Sequence, residues 1–338
     1  MPVPLKVGRA FVVEGIRRLG PPPNYTAFMT PNDDASTSAA LPPARFRLAI
    51  DGSIFGWASG VEATADVLDA FHDAGGRLIS TADHYAGGRS EVMIGNWVRT
   101  RNRRSQVFLA TKIGRHPDAP GLSAHSIAAA ADACLERLQT DHIDLLSFDG
   151  DHPQTPLEES LAAAAALIDS GKIRALSASS YSGARLLQAS QAADELGLPR
   201  FRAVFSPYSL MTRRPVENDL LPAVSTLGIG IFARLPLANG FLTGAYRSHN
   251  DVPESIMFAD AAQHLGRAGF KVLKALEQVA SEQGASLGAC ALAWVRSRPN
   301  VIAPVVRAAS ADQVAELVAS VDLVLQPHQL ATLDRASE

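Results

Sequence analysis

From about Phe46 onward, short apolar runs alternate along the chain with longer stretches in which apolar positions recur every three or four residues. Short apolar runs are typical of buried strands and the longer pattern of amphipathic helices, so the alternation predicts βα units and a parallel sheet. The clearest helices are predicted at 62–74, 123–138, 157–170 and 310–321. The predicted strands are FRLAIDG from Phe46, LISTAD from Leu78, VFLATKI from Val107, IDLLSFD from Ile143, IRALSAS from Ile173, RAVFSP from Arg202, GIFARLP from Gly230 and APVVRA from Ala303.

Eight βα units in one chain predict an α/β fold of the (β/α)8 TIM-barrel type, and we expect a single barrel domain over residues 45–338. Residues 1–44 differ from this pattern. They contain eight of the 21 prolines and a polar stretch from Asn32 to Ser38, which predicts an irregular, Pro-rich N-terminal extension. Its apolar piece AFVVEGI, Ala10 to Ile16, is expected to form one strand that closes the bottom of the barrel or contacts a partner.

Composition and charge narrow the classes of partner. Hydrophobic residues make up 47% of the chain and charged residues 19%, which is typical of a globular protein with a sizeable core. The formal net charge of −3 lacks the basic excess of a nucleic-acid-binding protein, so no nucleic-acid partner is expected. No apolar run approaches the ~20 residues that span a bilayer, and the N-terminus lacks an apolar signal segment. We therefore expect no membrane association and a cytoplasmic location.

The two cysteines, Cys134 and Cys290, lie in Ala-rich helical patterns and are expected to be small buried residues, without a disulfide. Histidines and aspartates near the ends of the second and fourth strands are the remaining candidates for metal binding. Their spacing fits no standard ligand pattern, so no metal site is predicted. These residues are His84, Asp149, Asp151 and His152.

In a (β/α)8 barrel the active site lies at the carboxyl ends of the strands, so polar residues there are the candidates for chemistry. Strand two runs into His84 and Tyr85, and strand three carries Lys112. An ammonium near a phenol favours the phenolate and lowers its pKa, so Tyr85 and Lys112 are the predicted catalytic pair. Two alternatives stay open. In the first, Lys112 serves only in a structural ion pair with Asp149. The second concerns Trp57, which either lines an apolar substrate pocket or caps the barrel.

Several segments, taken in order, resemble the aldo-keto reductase family from about Phe46 to the C-terminus. The resemblance implies a barrel that binds NADPH extended across its mouth and passes hydride to a carbonyl, helped by a tetrad of Asp, Tyr, Lys and His. The matching segments are TADHYAGGRSEVMIGNWV, FLATKIG, ERLQTDHIDLL, TPLEESL, GKIRALSASSYS, RLPLANGFLTGAY and PVVRAASADQVAEL.

Only half of the family's tetrad is present in this chain. Tyr85 and Lys112 match the tyrosine and the lysine, whereas Ser80 stands at the aspartate and Asp149 at the histidine. We expect Asp149 to compensate for the missing carboxylate by reaching Lys112 from strand four. The resemblance then implies a catalytic trio of Tyr85, Lys112 and Asp149, without the imidazole that orients the substrate.

The residues that bind the cofactor in the family also differ here. The Ser-Asn pair that holds the nicotinamide carboxamide corresponds to Ser179 and Ser180, and the glutamine of strand six corresponds to Phe205. Arg234 stands where an aromatic ring stacks on the nicotinamide. The other departures are Leu235 for a serine, Arg307 for a glycine, Leu317 for the asparagine that reads the adenine, and Asp51 with Gly52 for a Gly-Thr pair.

The combined loss of these contacts favours an enzyme that has given up NADPH and uses no cofactor, because each lost hydrogen bond costs about 1 kcal/mol of affinity. Under this hypothesis the catalytic trio performs acid/base chemistry, such as isomerisation, dehydration or cyclisation, on a carbonyl-bearing small molecule. Arg234 is expected to hold an anionic or enolate oxygen. The predicted substrate-binding residues are His84, Trp57, Arg234 and Phe205.

Two alternatives remain. The first is a divergent NADPH-dependent reductase, supported by the partly kept phosphate-side segment LANGFLTG. The second is a non-catalytic binding protein that uses the N-terminal extension for interaction. For the first alternative the expected cofactor-binding residues are Ser179, Ser180, Leu237 and Gly240.

Overall fold

The computed structural model describes residues 47–251 and 260–338. Eight parallel strands close into a barrel in consecutive order, which confirms the predicted (β/α)8 fold. The predicted strand at Ala10 to Ile16 lies outside the described residues. The strands are β1 Ala49–Asp51, β2 Leu78–Ser80, β3 Phe108–Ile113, β4 Leu145–Asp149, β5 Leu176–Ser179, β6 Ala203–Pro207, β7 Gly230–Arg234 and β8 Val301–Val306.

Helices pack around the barrel, and serine side chains start several of them. Ser123, Ser182, Ser286 and Ser310 each accept a hydrogen bond from the backbone N–H three residues further on, which satisfies a free donor of the first turn. The α-helices are α1 Val61–Asp73, α2 Arg89–Thr100, α3 Ala124–Leu138, α4 Leu157–Asp169, α5 Gly183–Leu196, α6 Leu221–Leu227, α7 Arg267–Gln283, α8 Leu287–Arg296, α9 Ala311–Val318 and α10 Pro327–Ser337.

The alternation of side chains along each strand determines which residues face the barrel axis. Residues two positions apart lie on the same face, so the residue two after an inward apolar one also points inward, nearer the mouth. Asp51 follows Ala49, Lys112 follows Ala110, and Arg234 follows Phe232. The barrel therefore has a layer of polar and charged residues above its apolar interior. That interior consists of Ala49, Leu78, Phe108, Ala110, Leu145, Ala203, Phe205, Phe232, Ile302, Ala303 and Val305.

A buried ion pair joins the second and third helices on the outside of the barrel. Glu91 of α2 is fully buried and accepts hydrogen bonds from Arg137 Nε at 2.7 Å and from Thr111 Oγ1 at 2.6 Å. Both carboxylate oxygens are thus satisfied. Removing the arginine leaves a buried negative charge that has lost its counterion.

We expect Arg137→Met to lower the free energy of unfolding by about 3–5 kcal/mol, because breaking one side of a buried ion pair leaves the other uncompensated. Urea denaturation measures the change. The control is Arg101→Met, since Arg101 pairs with Asp69 at 2.8 Å on the surface. That change should cost at most about 1 kcal/mol. Equal losses in the two variants would contradict the assignment of Glu91 and Arg137 as a structural pair.

Candidate active site

Lys112 and Tyr85 come together at the mouth of the barrel, as predicted from the strand ends. The Lys112 ammonium is buried and donates hydrogen bonds to Ser80 Oγ at 3.0 Å and to the Thr81 carbonyl at 2.7 Å. It lies 5.2 Å from the centroid of the Tyr85 ring and 5.0 Å from that of Phe205. The Ser80 hydroxyl and the Thr81 backbone carbonyl thus both accept hydrogen bonds from the Lys112 ammonium.

The surroundings of this pair change the pKa of both groups. Burial lowers the pKa of Lys112 to about 8; the Asp51 carboxylate opposes this shift and Arg234 adds to it. Burial also raises the pKa of the Tyr85 phenol above its ordinary value, the Asp51 carboxylate adds to that shift, and Arg234 opposes it. The prediction that Lys112 lowers the pKa of Tyr85 is therefore wrong. The ammonium faces the ring and bonds to Ser80 and Thr81, while burial disfavours the phenolate. Near neutral pH, Tyr85 is a phenol that can donate a proton.

We expect Lys112 to titrate near pH 8, well below its ordinary pKa of 10.5, because burial disfavours the charged form. NMR of protein labelled with ¹³C at the lysine ε-carbons measures this directly, since the chain has five lysines. The unfolded chain binds this proton up to pH 10.5, so this group makes stability rise with pH between about 8 and 10.5. Lys112→Met should remove the early-titrating signal. Titration of all five lysines together would contradict the burial argument.

Asp149 lies at the mouth but does not brace the lysine. Its Oδ1 accepts a hydrogen bond from Ser179 Oγ at 2.9 Å, and its Oδ2 lies 3.3 Å from Arg115 Nε. Within residues 47–251 and 260–338, no hydrogen bond or ion pair within 4 Å joins Asp149 to Lys112. The strand register explains this, because Lys112 pairs with Ser147 and Asp149 lies two residues nearer the mouth. The expectation that Asp149 reaches Lys112 is therefore wrong, both as a catalytic contact and as a structural ion pair.

Asp51 is the carboxylate that the sequence analysis missed as a candidate. It is the register partner of Ser80 on the neighbouring strand, and only 6% of it is exposed. Its carboxylate accepts hydrogen bonds from the Ser53 backbone N–H at 3.1 Å and from Ser53 Oγ at 3.2 Å. Its charge contributes more than any other to the pKa shifts of both Lys112 and Tyr85. The signal was present in the sequence, since Asp51 ends a strand two residues after an inward alanine.

Two arginines border the mouth at the ends of β7 and β8. Arg234, at the end of β7, is half-buried and donates to Ser179 Oγ at 3.5 Å. Arg307 donates to the Asn239 side-chain oxygen at 2.5 Å. Arg234 pairs in register with Val305, two residues before Arg307. The two guanidinium groups therefore belong to neighbouring strand ends, and the loop after β7 is tied to the end of β8.

Backbone strain is concentrated at this side of the mouth. Leu235, Ala238 and Asn239 have φ values of 50°, 49° and 56°, and Ser180 has 61°. A non-glycine residue in the left-handed region costs on the order of 1–3 kcal/mol, and such residues cluster at functional sites. Gly240 has φ 92° and packs so closely against Tyr246 that an added Cβ would lie 3.1 Å from the ring. The strain supports placing a functional site beside β5 and β7.

The remaining predicted residues lie at different depths. Phe205 is buried inside the barrel, where its ring stacks on Phe232 with 4.6 Å between centroids. His84 Nδ1 lies 3.1 Å from Asp83 Oδ1, and its ring meets Tyr85 edge-on at 4.9 Å between centroids. Trp57 is 64% exposed. The structure thus places His84 beside the phenol and Phe205 beneath the lysine.

The other predicted residues also differ in how deeply they are buried. Ser179 is buried beside Asp149, its register partner on the neighbouring strand, and Ser180 is exposed. Leu237 is half-buried in the loop after β7, and Leu317 is packed into the hydrophobic core. Among the described residues, no group of three His, Cys, Asp or Glu side chains is arranged to hold a metal ion. None of the described helices is long and apolar enough to cross a membrane.

The fold and the site define a (β/α)8-barrel protein with a tyrosine and lysine pair at the carboxyl ends of its strands. The chain belongs to the aldo/keto reductase family, whose model matches residues 54–338. This confirms the resemblance seen in the sequence.

Known proteins similar to this chain carry several descriptions. A probable voltage-gated potassium channel subunit beta from Oryza sativa is 31% identical over 80% of this chain and 85% of the relative. The NADP(+) aldo-keto reductase yakc from Schizosaccharomyces pombe is 32% identical over 73% of this chain and 74% of the relative. Versiconal hemiacetal acetate reductase from Aspergillus parasiticus is 27% identical over 82% of this chain and 88% of the relative.

Proposed function

We propose that this protein is a cytoplasmic enzyme that moves protons at a carbonyl-bearing small molecule without a nicotinamide cofactor. The observation that carries the proposal is the Tyr85 phenol beside the buried Lys112, in a mouth where Arg234 stands at the position of the stacking ring. A phenol positioned over an ammonium is suited to general acid catalysis. Isomerisation, dehydration and cyclisation are the reactions that such a site supports.

The residues present do not fit a nicotinamide ring. The position of the family's glutamine is occupied by Phe205, whose ring is stacked on Phe232 inside the barrel. The hydroxyl of Ser179 is already committed to the Asp149 carboxylate at 2.9 Å. A charged guanidinium at Arg234 replaces a flat ring and itself needs solvation. Each missing hydrogen bond costs about 1 kcal/mol, so several together lower the affinity by orders of magnitude.

The adenine side supports the same conclusion. Leu317, at the position of the family's adenine-reading asparagine, has no hydrogen-bonding side chain and is packed into the core. Arg307 stands where the family has glycine, and its guanidinium is tied to Asn239. A side chain larger than glycine at this place narrows the path across the mouth. The proposed chemistry therefore uses no bound cofactor.

In the proposed mechanism Tyr85 donates its proton to the substrate carbonyl oxygen. The Lys112 ammonium beneath the ring then stabilises the phenolate that forms. The Asp149 carboxylate, at the edge of the same mouth, accepts the proton from the carbon next to the carbonyl, which yields an enol. Asp51 supplies the negative charge that Ser80 lacks, on the strand next to it. Return of the proton from Asp149 to another carbon isomerises the substrate, whereas its transfer to a β-hydroxyl lets that group leave as water. In both cases the enol hydroxyl returns its proton to the Tyr85 phenolate as the carbonyl re-forms.

Hydrogen–deuterium exchange tests this proposal without knowledge of the natural substrate. Butanone, butanal and 2-oxobutanoate are incubated with cofactor-free protein in D₂O, and NMR follows exchange at the carbon next to the carbonyl. We expect exchange with at least one probe well above the uncatalysed rate. Failure of every probe to exchange, together with NADPH-dependent reduction of any of them, would overturn the proposal.

NADPH-dependent reduction of a carbonyl is the second candidate function. The observation that favours it is the loop after β7, where Leu237 to Gly244 keeps a tight left-handed turn around Gly240. A relative at 32% identity is described as an NADP(+) aldo-keto reductase. Loss of NADPH absorbance at 340 nm with the same three probes measures this activity.

A further inference from the structure

We infer that Arg234 and Arg307 form an oxyanion-binding site at the mouth, and that the substrate carries a carboxylate or phosphate group close to its carbonyl. This inference rests on the proposed function, because it assigns a substrate class to the same cleft. It adds a recognition element that the proton chemistry alone does not require.

The position of Arg234 on its strand brings its side chain into the mouth. It ends β7 two residues after the inward Phe232, so its side chain belongs to the inner face of the mouth. It donates a long hydrogen bond, 3.5 Å, to the neutral hydroxyl of Ser179. In the described parts of the chain no carboxylate oxygen lies within 4 Å of its guanidinium. A half-buried guanidinium held by a neutral partner is suited to bind an anion from solution.

The position of Arg307 brings it to the strand end next to that of Arg234. It follows the inward Val305 by two residues, and Val305 is the register partner of Arg234. Its hydrogen bond to the Asn239 side chain fixes the guanidinium against the loop after β7. Asn239 has a left-handed backbone and is buried, so this anchor is itself held in place. The two arginines thus approach the same region from neighbouring strands.

The charged groups of the mouth also favour the binding of an anion. The mouth carries the cations Lys112, Arg115, Arg234 and Arg307 against the carboxylates Asp51, Asp83 and Asp149. Asp149 is paired with Arg115, Asp83 lies 3.1 Å from His84, and Asp51 ends the strand next to β8, so the mouth as a whole keeps one more cation than carboxylates. The charge of Arg234 also lowers the pKa of both Lys112 and Tyr85, which places it within electrostatic reach of the proton-transfer pair. In this inference the molecule that carries the oxyanion presents its carbonyl to Tyr85 in the same mouth.

Matched pairs of ligands test the inference by equilibrium binding to the intact chain. Calorimetry compares 2-oxobutanoate with methyl 2-oxobutanoate, and dihydroxyacetone phosphate with dihydroxyacetone. We expect at least one anion to bind about 10- to 100-fold more tightly than its neutral partner, because hydrogen bonds to charged groups are the strong ones. A preference for 2-oxobutanoate over its ester indicates a carboxylate substrate, and a preference for dihydroxyacetone phosphate over dihydroxyacetone indicates a phosphate. Inorganic pyrophosphate is the third arm; binding of pyrophosphate alone would assign the arginines to a cofactor phosphate and overturn the inference.

Variants connect the preference to the arginines. Arg234→Met should abolish the preference for the anion, and Arg234→Lys should keep part of it, since the charge remains without the two-pronged geometry. The control is Arg200→Met, because Arg200 is exposed and pairs with Asp194 on the outside of the barrel. If Arg234→Met fails to fold, Arg234→Lys and the comparison of each acid with its neutral partner still decide the matter. An unchanged preference in a folded Arg234→Met protein, or no preference in the unmodified protein, overturns the inference.

The binding readout separates this inference from the proposed function. Preference for the anion without any hydrogen–deuterium exchange would overturn the proton chemistry and leave the oxyanion site standing. Exchange with butanone at the same rate as with 2-oxobutanoate, and no preference in binding, would overturn the oxyanion site alone.

Discussion

Replacing Tyr85 by phenylalanine is expected to lower the rate of hydrogen–deuterium exchange by about 10²- to 10⁴-fold, the usual contribution of a positioned general acid. The substitution removes one oxygen and keeps the ring over the Lys112 ammonium, 5.2 Å from the ring centroid. The packing of the mouth therefore stays the same, and the loss reports on the proton of the phenol. NMR exchange rates with the most active carbonyl probe measure the effect.

The matched control is Tyr208→Phe. Tyr208 is also a buried tyrosine, but its hydroxyl donates to Glu217 at 2.9 Å, away from the mouth. This variant loses the same atom and should keep the exchange rate within about twofold, since the removed hydroxyl bonds to Glu217 and to no group of the proposed mechanism. An equal loss in both variants would show a structural effect, and an unchanged rate in Tyr85→Phe would remove Tyr85 from the mechanism.

Replacing Lys112 by methionine is expected to lower the same rate by about 10²- to 10³-fold, because the phenolate that forms loses the cation that stabilises it. Methionine is unbranched and similar in length, so it fills the space between the rings of Tyr85 and Phe205. The free energy of unfolding should stay the same or rise, since the buried ammonium is itself costly, as its lowered pKa shows.

Combining the two changes tests whether the residues act as one unit. The double variant Tyr85→Phe with Lys112→Met should be no slower than the slower single variant, because the lysine acts only through the phenolate. Rates that fall by the product of the two single losses would mean that Lys112 contacts the substrate by itself. Denaturation of each variant in urea excludes unfolding as the cause.

Much of the fold was predictable from the sequence because each part of the pattern has a direct physical cause. All eight strands were located from short apolar runs, and α4 was placed to within one residue of its observed end. The pair Tyr85 and Lys112 followed from one rule, that the ends of parallel strands meet at the same rim. The helix after β8 was predicted to end at 321 but ends at Val318.

The relations between strands were harder to predict. Asp149 was expected to reach Lys112, yet the register places it two residues nearer the mouth, where Arg115 reaches it. Asp51 was noted only as a departure from the family, although the register places it beside Ser80. The pKa of Tyr85 is raised, whereas we expected it to be lowered, because burial outweighs a nearby ammonium. Registers and burial depend on the assembled barrel, and a single sequence shows neither.

We propose that this reductase-family barrel works without a nicotinamide cofactor, and cofactor binding can be measured directly. NADPH and NADH are titrated into purified, cofactor-free protein and binding is followed by calorimetry or by nicotinamide fluorescence. With Phe205, Arg234 and Leu317 in place of the family's contacts, we expect no binding up to about 1 mM cofactor, which corresponds to a binding free energy weaker than about −4 kcal/mol. A dissociation constant in the micromolar range or below would contradict the account and establish the reductase alternative.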